Sequence, residues 1–132
     1  MTVTMKCPVV AWHFLPDDCR LRYGSRELVE VGKTIKVDGY PVLCKSGLHA
    51  SIEPIDAIEY SPGNILCRVE MGGKIVYGND KLVATKRTVI AMGNAEQMLR
   101  KFARLCALDV IHLWDAPQLV VDYLNTGDEK IR

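Results

Sequence analysis

The sequence predicts an α+β fold: a mostly antiparallel sheet with one short inserted helix, followed by a C-terminal helical extension. Three observations predict it. Up to residue 92 the apolar residues come in short runs or alternate with polar ones, and Gly, Pro, Asn and Asp punctuate them as they punctuate strands. Within that region only the stretch around Ser51 and Pro54 carries a helix start. From Asn94 onward Leu99, Phe102, Ala103, Cys106, Val110 and Leu113 recur at helical spacing, and glycine is absent until Gly127. Residues 1–92 therefore form a sheet-rich module, and residues 93–132 a helical extension packed on it.

Pro8 to Leu15 is an apolar and aromatic run closed by Pro16, Asp17 and Asp18, which predicts a first, buried strand carrying His13. Cys19 to Glu30, with Gly24 and Ser25 among charges, is a loop or a weak strand. Val31 to Val37 alternates, Asp38-Gly39 follows, and Tyr40 to Cys44 is again apolar. Asp-Gly between two such runs predicts a hairpin, with an edge or bulge at Pro41 because proline lacks a backbone donor. Gly47 bends the chain, Ser51 caps a helix, and Pro54 starts that helix, which runs to about Tyr60. Ser61-Pro62-Gly63-Asn64 turns the chain. Ile65 to Met71 has strand periodicity. Gly72-Gly73 and Gly78-Asn79-Asp80 then predict two turns, making a three-strand meander with Lys74 to Tyr77 and Leu82 to Ala91.

In the helical part, Asn94 with Gln97 and Asp115 with Gln118 have capping-box spacing, and Pro117 suits the first turn of a helix reaching Leu124. Thr126-Gly127-Asp128-Glu129 repeats the start signal with about three residues left. The expectation is that the natural protein continues beyond Arg132 or was cut at a helical boundary, a frayed tail being the other reading.

Composition narrows the class. The chain of 132 residues is 48% hydrophobic and 25% charged, the balance of a globular domain rather than a disordered one. A net charge of +1 provides no global field for nucleic acid or an anionic membrane and leaves only a local patch open. Five cysteines, Cys7, Cys19, Cys44, Cys67 and Cys106, contain no CxxC pair, which predicts reduced, mostly buried thiols and a cytoplasmic protein. No apolar run is long enough to span a bilayer.

The densest cluster of polar groups with positional meaning is Cys44 to Ala57. His49 and Ser51, two apart, point to the same side of an extended segment beside a helix start, which would suit gripping an anion. The structural alternative is that Ser51 only caps the helix while His49 bonds a nearby carbonyl. Cys44, His49 and Asp56 contain the residue types of a thiol nucleophile, its base and an orienting acid. His13, His49 and His112 have no partner at metal-ligand spacing, so no metal is expected. Asp109, His112 and Asp115 would line a polar helical stripe, and Trp12 and Trp114 are core or interface anchors. The binding candidates are His49, Ser51, Trp114 and Asp115, and the catalytic candidates His13, His49 and Ser51.

Ala11 to Ala91, with AWHFL, VGKTIKVDGYPVLC, SGLHASIEPIDAIEY, ILCRVEMGGKIV and KLVATKRTVIA, resembles a domain of small uncharacterised phage and prophage proteins. RKFARLCALDVIHLWDAP resembles longer members that run on into alanine-rich helical repeats. The ADP-ribosyltransferase fold is a second, weaker resemblance: His13 and Ser51 look like its strand histidine and its serine before a helix, and Glu70, Glu96 or Asp115 would supply its late acidic residue.

The phage resemblance implies an accessory protein of the host cytosol. It would act without a cofactor, by binding a host or phage macromolecule, a protein partner foremost, and in its concrete version would inhibit a host defence system. The second resemblance implies a nucleotide-using enzyme with NAD held by His13, His49 and Ser51. A third expectation is a structural protein whose helical tail forms a homo-oligomer.

Overall fold

Two long strands frame the sheet. The computed structural model describes residues 9–22 and 26–131, and the chain divides after Asn94 into a sheet unit and a helical unit. Strand β4 (Ile65–Tyr77) and strand β5 (Leu82–Asn94) run antiparallel, from Ile65 opposite Asn94 to Tyr77 opposite Leu82. Strand β1 (Val9–Leu15) pairs the other edge of β4, with Val9 opposite Met71 and Leu15 opposite Ile65. Two short strands then share the free edge of β5. These are β2 (Thr34–Lys36), with Thr34 opposite Thr88, and β3 (Leu48–Ala50), with Leu48 opposite Ala84.

One residue beyond β3, Ser51 exchanges two backbone hydrogen bonds with Trp12 of β1, at 2.7 and 2.8 Å. The path β1–β4–β5–β3 thus returns to β1, and the sheet curls around a single core. Strand alternation fills that core with Ala11, Leu15, Cys67, Val69, Leu82, Ala84 and Val89, all at most 2% exposed. Each larger aliphatic among them adds roughly 1.5–3 kcal/mol by leaving water.

The sheet unit departs from the sequence expectations at three places. The hairpin at Asp38-Gly39 does not form. Gly39 takes φ 89° in a bend, but β2 bonds β5, and Tyr40 to Cys44 contributes only a bridge from Val42 to Ser46. Pro41 has no N–H to give a ladder, and Cys44 sits at φ 65°, which ends the extended run. The three-strand meander is a two-strand ribbon, because Gly72-Gly73 is a bulge rather than a turn. Pairing slips between Gly72 opposite Lys86 and Ile75 opposite Ala84, Gly73 takes φ 71°, and Lys74 N–H donates to Thr85 Oγ1 at 2.9 Å. Finally, the short helix α1 (Pro54–Glu59) does start at Pro54, but its N-cap residue is Glu53 and no side chain caps it. Ser51 is 2% exposed and belongs to the sheet.

β1 begins at Val9; Pro8, Cys7, Gly24 and Ser25 lie outside the described residues. Among its described residues the Cys19 to Glu30 segment contains one bridge, Arg20 to Leu28. Cys19, Cys44, Cys67 and Cys106 are free thiols, but among these described cysteines Cys67 alone is buried; Cys44 lies on a surface turn and Cys106 on an open helix face, so the expectation of mostly buried thiols does not hold.

In the helical unit, α2 (Glu96–Asp109) is followed by a 3-10 turn at Ile111–Leu113 and by α3 (Gln118–Thr126). Their N-cap residues are Ala95 and Pro117, without side-chain capping bonds, so neither capping box forms. Because α2 stops at Asp109, the stripe of Asp109, His112 and Asp115 is not on one helix. Thr126 to Glu129 ends a helix instead of starting one: Gly127, at φ 70°, gives its N–H to Tyr123 O, as a left-handed C-terminal residue does. Arg100 ties Glu96 to Glu129 through two ion pairs. Among the described residues no helix is long and apolar enough to cross a membrane.

Candidate functional site

The curl of the sheet leaves a cleft of about 650 Å³, within the range of small-molecule pockets. β1 contributes Trp12 and His13 to it, and the run Cys44 to Ser51 forms one wall. Ala57, Tyr60 and Pro62 line it around α1, Lys81 comes from the β4–β5 turn, and Arg87 comes from β5.

Arg87 is the unusual group. It is 4% exposed, one nitrogen donates to His49 O at 2.8 Å, and it forms no ion pair with a carboxylate among the described residues. Burial pulls its pKa down to about 10, partly offset by Cys67, so the guanidinium is still charged at neutral pH. Isolated buried cations are expensive, and those that persist are matched by something. Among the described residues no Asp or Glu lines the cleft.

His13 and His49 share this charge environment. His13 is held well below the usual imidazole value, first by burial, then by Arg87 and by His49. His49 is lowered by burial, Lys81 and Arg87, against a hydrogen bond to the Gly47 backbone. Both rings are therefore neutral at pH 7. His49 Nε2 accepts the Cys44 N–H at 2.9 Å, which fixes its proton on Nδ1 and clamps the turn. His49 thus does both things the sequence left open: it lines the cleft beside His13 and it closes the loop.

This pair sets an acid limit on stability. The unfolded imidazoles titrate near 6.5, while the folded ones titrate lower. Between those values the unfolded chain binds more protons, so stability is lost as pH falls below about 6.5, by up to about 1.4 kcal/mol per pH unit for each ring. The urea midpoint should fall between pH 7 and 5, and less steeply in His13→Gln; a midpoint constant over that range would contradict the assignment.

The thiol arrangement differs from the nucleophile, base and acid expected. His49 Nε2 is occupied by the Cys44 backbone, and the Cys44 thiol instead meets Lys81 Nζ at 2.5 Å. Lys81 also lies 4.3 Å over the Tyr60 ring, and Tyr60 Oη donates to Asp80 Oδ2 at 2.5 Å, which with partial burial pushes the phenol up to about 12. Asp56 does not line the cleft.

Of the candidates, His13, His49 and Ser51 come together in the cleft. Trp114 and Asp115 belong to the helical unit, where both are exposed. Arg87, Lys81 and Tyr60 were missed. Arg87 was findable, since two residues before the inward-facing Val89 a strand points its side chain inward again. Among the described residues no group of three or more His, Cys, Asp or Glu is placed to hold a metal ion.

A family model described as a domain of unknown function, DUF7666, matches residues 11–101. The chain belongs to the DUF7666 family. No curated protein and no solved structure matches the chain. The DUF7666 match starts in β1 and ends within α2, so every residue lining the cleft lies inside it.

Proposed function

We propose that the DUF7666 domain binds a phosphate-bearing nucleotide in the cleft between β1, β3 and β5. The observation that carries this is Arg87: a buried cation without a carboxylate partner among the described residues, lining a cavity of nucleotide size. Lys81 and Lys45 add positive charge to the lining, and Tyr60 adds aromatic surface. In its enzymatic form the reading is ADP-ribosyltransferase-like, with NAD as the nucleotide. The acid-free lining favours binding over transfer, because Glu70, the acidic candidate within the sheet unit, is not among the lining residues.

The test is thermal melting of the full chain with NAD, ADP or pyrophosphate at millimolar concentration. Ligand at 100 times its dissociation constant adds about 2.7 kcal/mol, which moves a domain of this size by several degrees. No shift with any of the three would remove the proposal.

A second reading has its own support. A phage-encoded accessory protein that binds a host or phage macromolecule, inhibiting host defence in its concrete version, needs an adhesive surface. In the helical unit Phe102, Leu105, Leu113 and Trp114 are 43%, 51%, 73% and 55% exposed. A chain that stays monomeric in light scattering and recovers no stoichiometric partner from bacterial lysate would count against it.

A further inference from the structure

The total charge of +1 conceals an excess of cations on one side of the sheet. Strand alternation puts Ile35, Arg87 and Val69 inward, and therefore puts Lys36 of β2, Lys86 of β5, Arg68 of β4 and Trp12 of β1 on the outward side. Lys36 stands directly opposite Lys86, a like-charge cross-strand pair that weakens a sheet on its own account. Lys86 in turn faces Gly72, which has no side chain to cover it. Past the bulge, Lys74 reaches to 5.8 Å from the ring centre of Tyr40, itself 70% exposed, and Arg68 lies 4.4 Å over the Trp12 ring.

None of these four cations forms an ion pair among the described residues. Glu70, opposite Thr88, alternates onto this same face between Arg68 and Gly72, and Asp38 lies two beyond Lys36, so the four cations outnumber the acids there without excluding them. Between the cations the surface carries Thr34 and Thr88, joined hydroxyl to hydroxyl at 2.6 Å, which are hydrogen-bonding groups and not membrane-inserting ones.

We propose that this outward face binds the phosphodiester backbone of single-stranded nucleic acid, without base specificity and independently of the cleft. Adjacent strands about 4.8 Å apart bring Lys36 and Lys86 into one local field. That field repels within the protein and is relieved by an external polyanion. Tyr40 and Trp12, each with a cation already over the ring, give the arrangement of a basic track with aromatic platforms.

The experiment is fluorescence anisotropy of labelled oligo-dT and oligo-U with the full chain across 50–200 mM salt. Four phosphate contacts predict that log K falls against log salt with a slope of about −2.8. Lys36→Glu removes one contact and neutralises a second, which should bring the slope to about −1.4 while leaving the melting temperature equal or higher, because an attractive pair replaces a repulsive one. Which of the two oligonucleotides binds more tightly identifies the natural strand. Absence of salt-dependent binding to both, or unchanged binding by Lys36→Glu, overturns the proposal. So does binding only to vesicles of phosphatidylcholine with 30% phosphatidylserine, since the partner would then be a lipid surface.

Discussion

Arg87→Met is expected to abolish every ligand-induced shift in melting temperature while leaving the free domain as stable as the wild type or more so. A methionine fills the site with apolar volume and carries no charge to desolvate. Replacing buried charges by apolar groups of similar size is often neutral or stabilising by about 1–4 kcal/mol. Against that gain stands the lost bond to His49 O, worth about 1 kcal/mol. A residue whose removal helps the fold and harms binding is there for the ligand. Arg87→Lys keeps the charge without the planar fork and should retain a reduced shift. The opposite pattern, an unfolded Arg87→Met, would make Arg87 a support for the β3 wall and leave the cleft without its principal binding group.

Gly47→Ala is expected to lose roughly 2–5 kcal/mol, a large share of the 5–15 kcal/mol by which domains are stable. A Cβ there would sit 2.5 Å from Val83 Cγ2, 3.1 Å from Pro41 Cβ and 3.3 Å from Ala84 O, on a backbone at φ 111°. Val83 is fully buried and Ala84 O is backbone, so neither can yield cheaply. Gly39→Ala separates the two causes: it has a similar φ of 89° but meets nothing within 4 Å, and should lose only the conformational part. Urea midpoints of the two variants measure the difference, and equal losses would mean that packing against Val83 contributes nothing.

The parts of this fold that sequence reasoning reached are those governed by long periodic runs. The alternation from Ile65 to Met71, the buried run ending at Leu15 and the change of pattern at Asn94 all correspond to elements, because many residues agree in each. The failures fall where a two- or three-residue signal competed with tertiary pairing. Asp38-Gly39 supplies good hairpin chemistry, yet β2 found a longer partner in β5 once Pro41 and Cys44 had spoiled the second arm. Gly72-Gly73 fits a turn or a bulge equally well, and only the thirteen-residue length of β5 beside it decides for the bulge. Ser51 has the chemistry of a cap, but its backbone was already engaged by Trp12.

The candidate site was legible for the same reason and to the same depth. His13 could be named because it sits in a recognisable strand, and His49 because it stands two residues from Ser51 just past the Gly47 bend. Arg87 could not be valued without knowing which side of β5 is interior and that no carboxylate would meet it there. Charge burial is a property of several strands at once, and no local window contains it.

The two backbone bonds between Trp12 and Ser51 make the sheet a hoop and not a fan. A fan widens its groove by splaying an edge strand, and its walls drift independently. In the hoop, His13 follows one end of the seam and His49 precedes the other, so their spacing holds while the seam holds. Any widening of the cleft at that point has to begin by parting those two bonds.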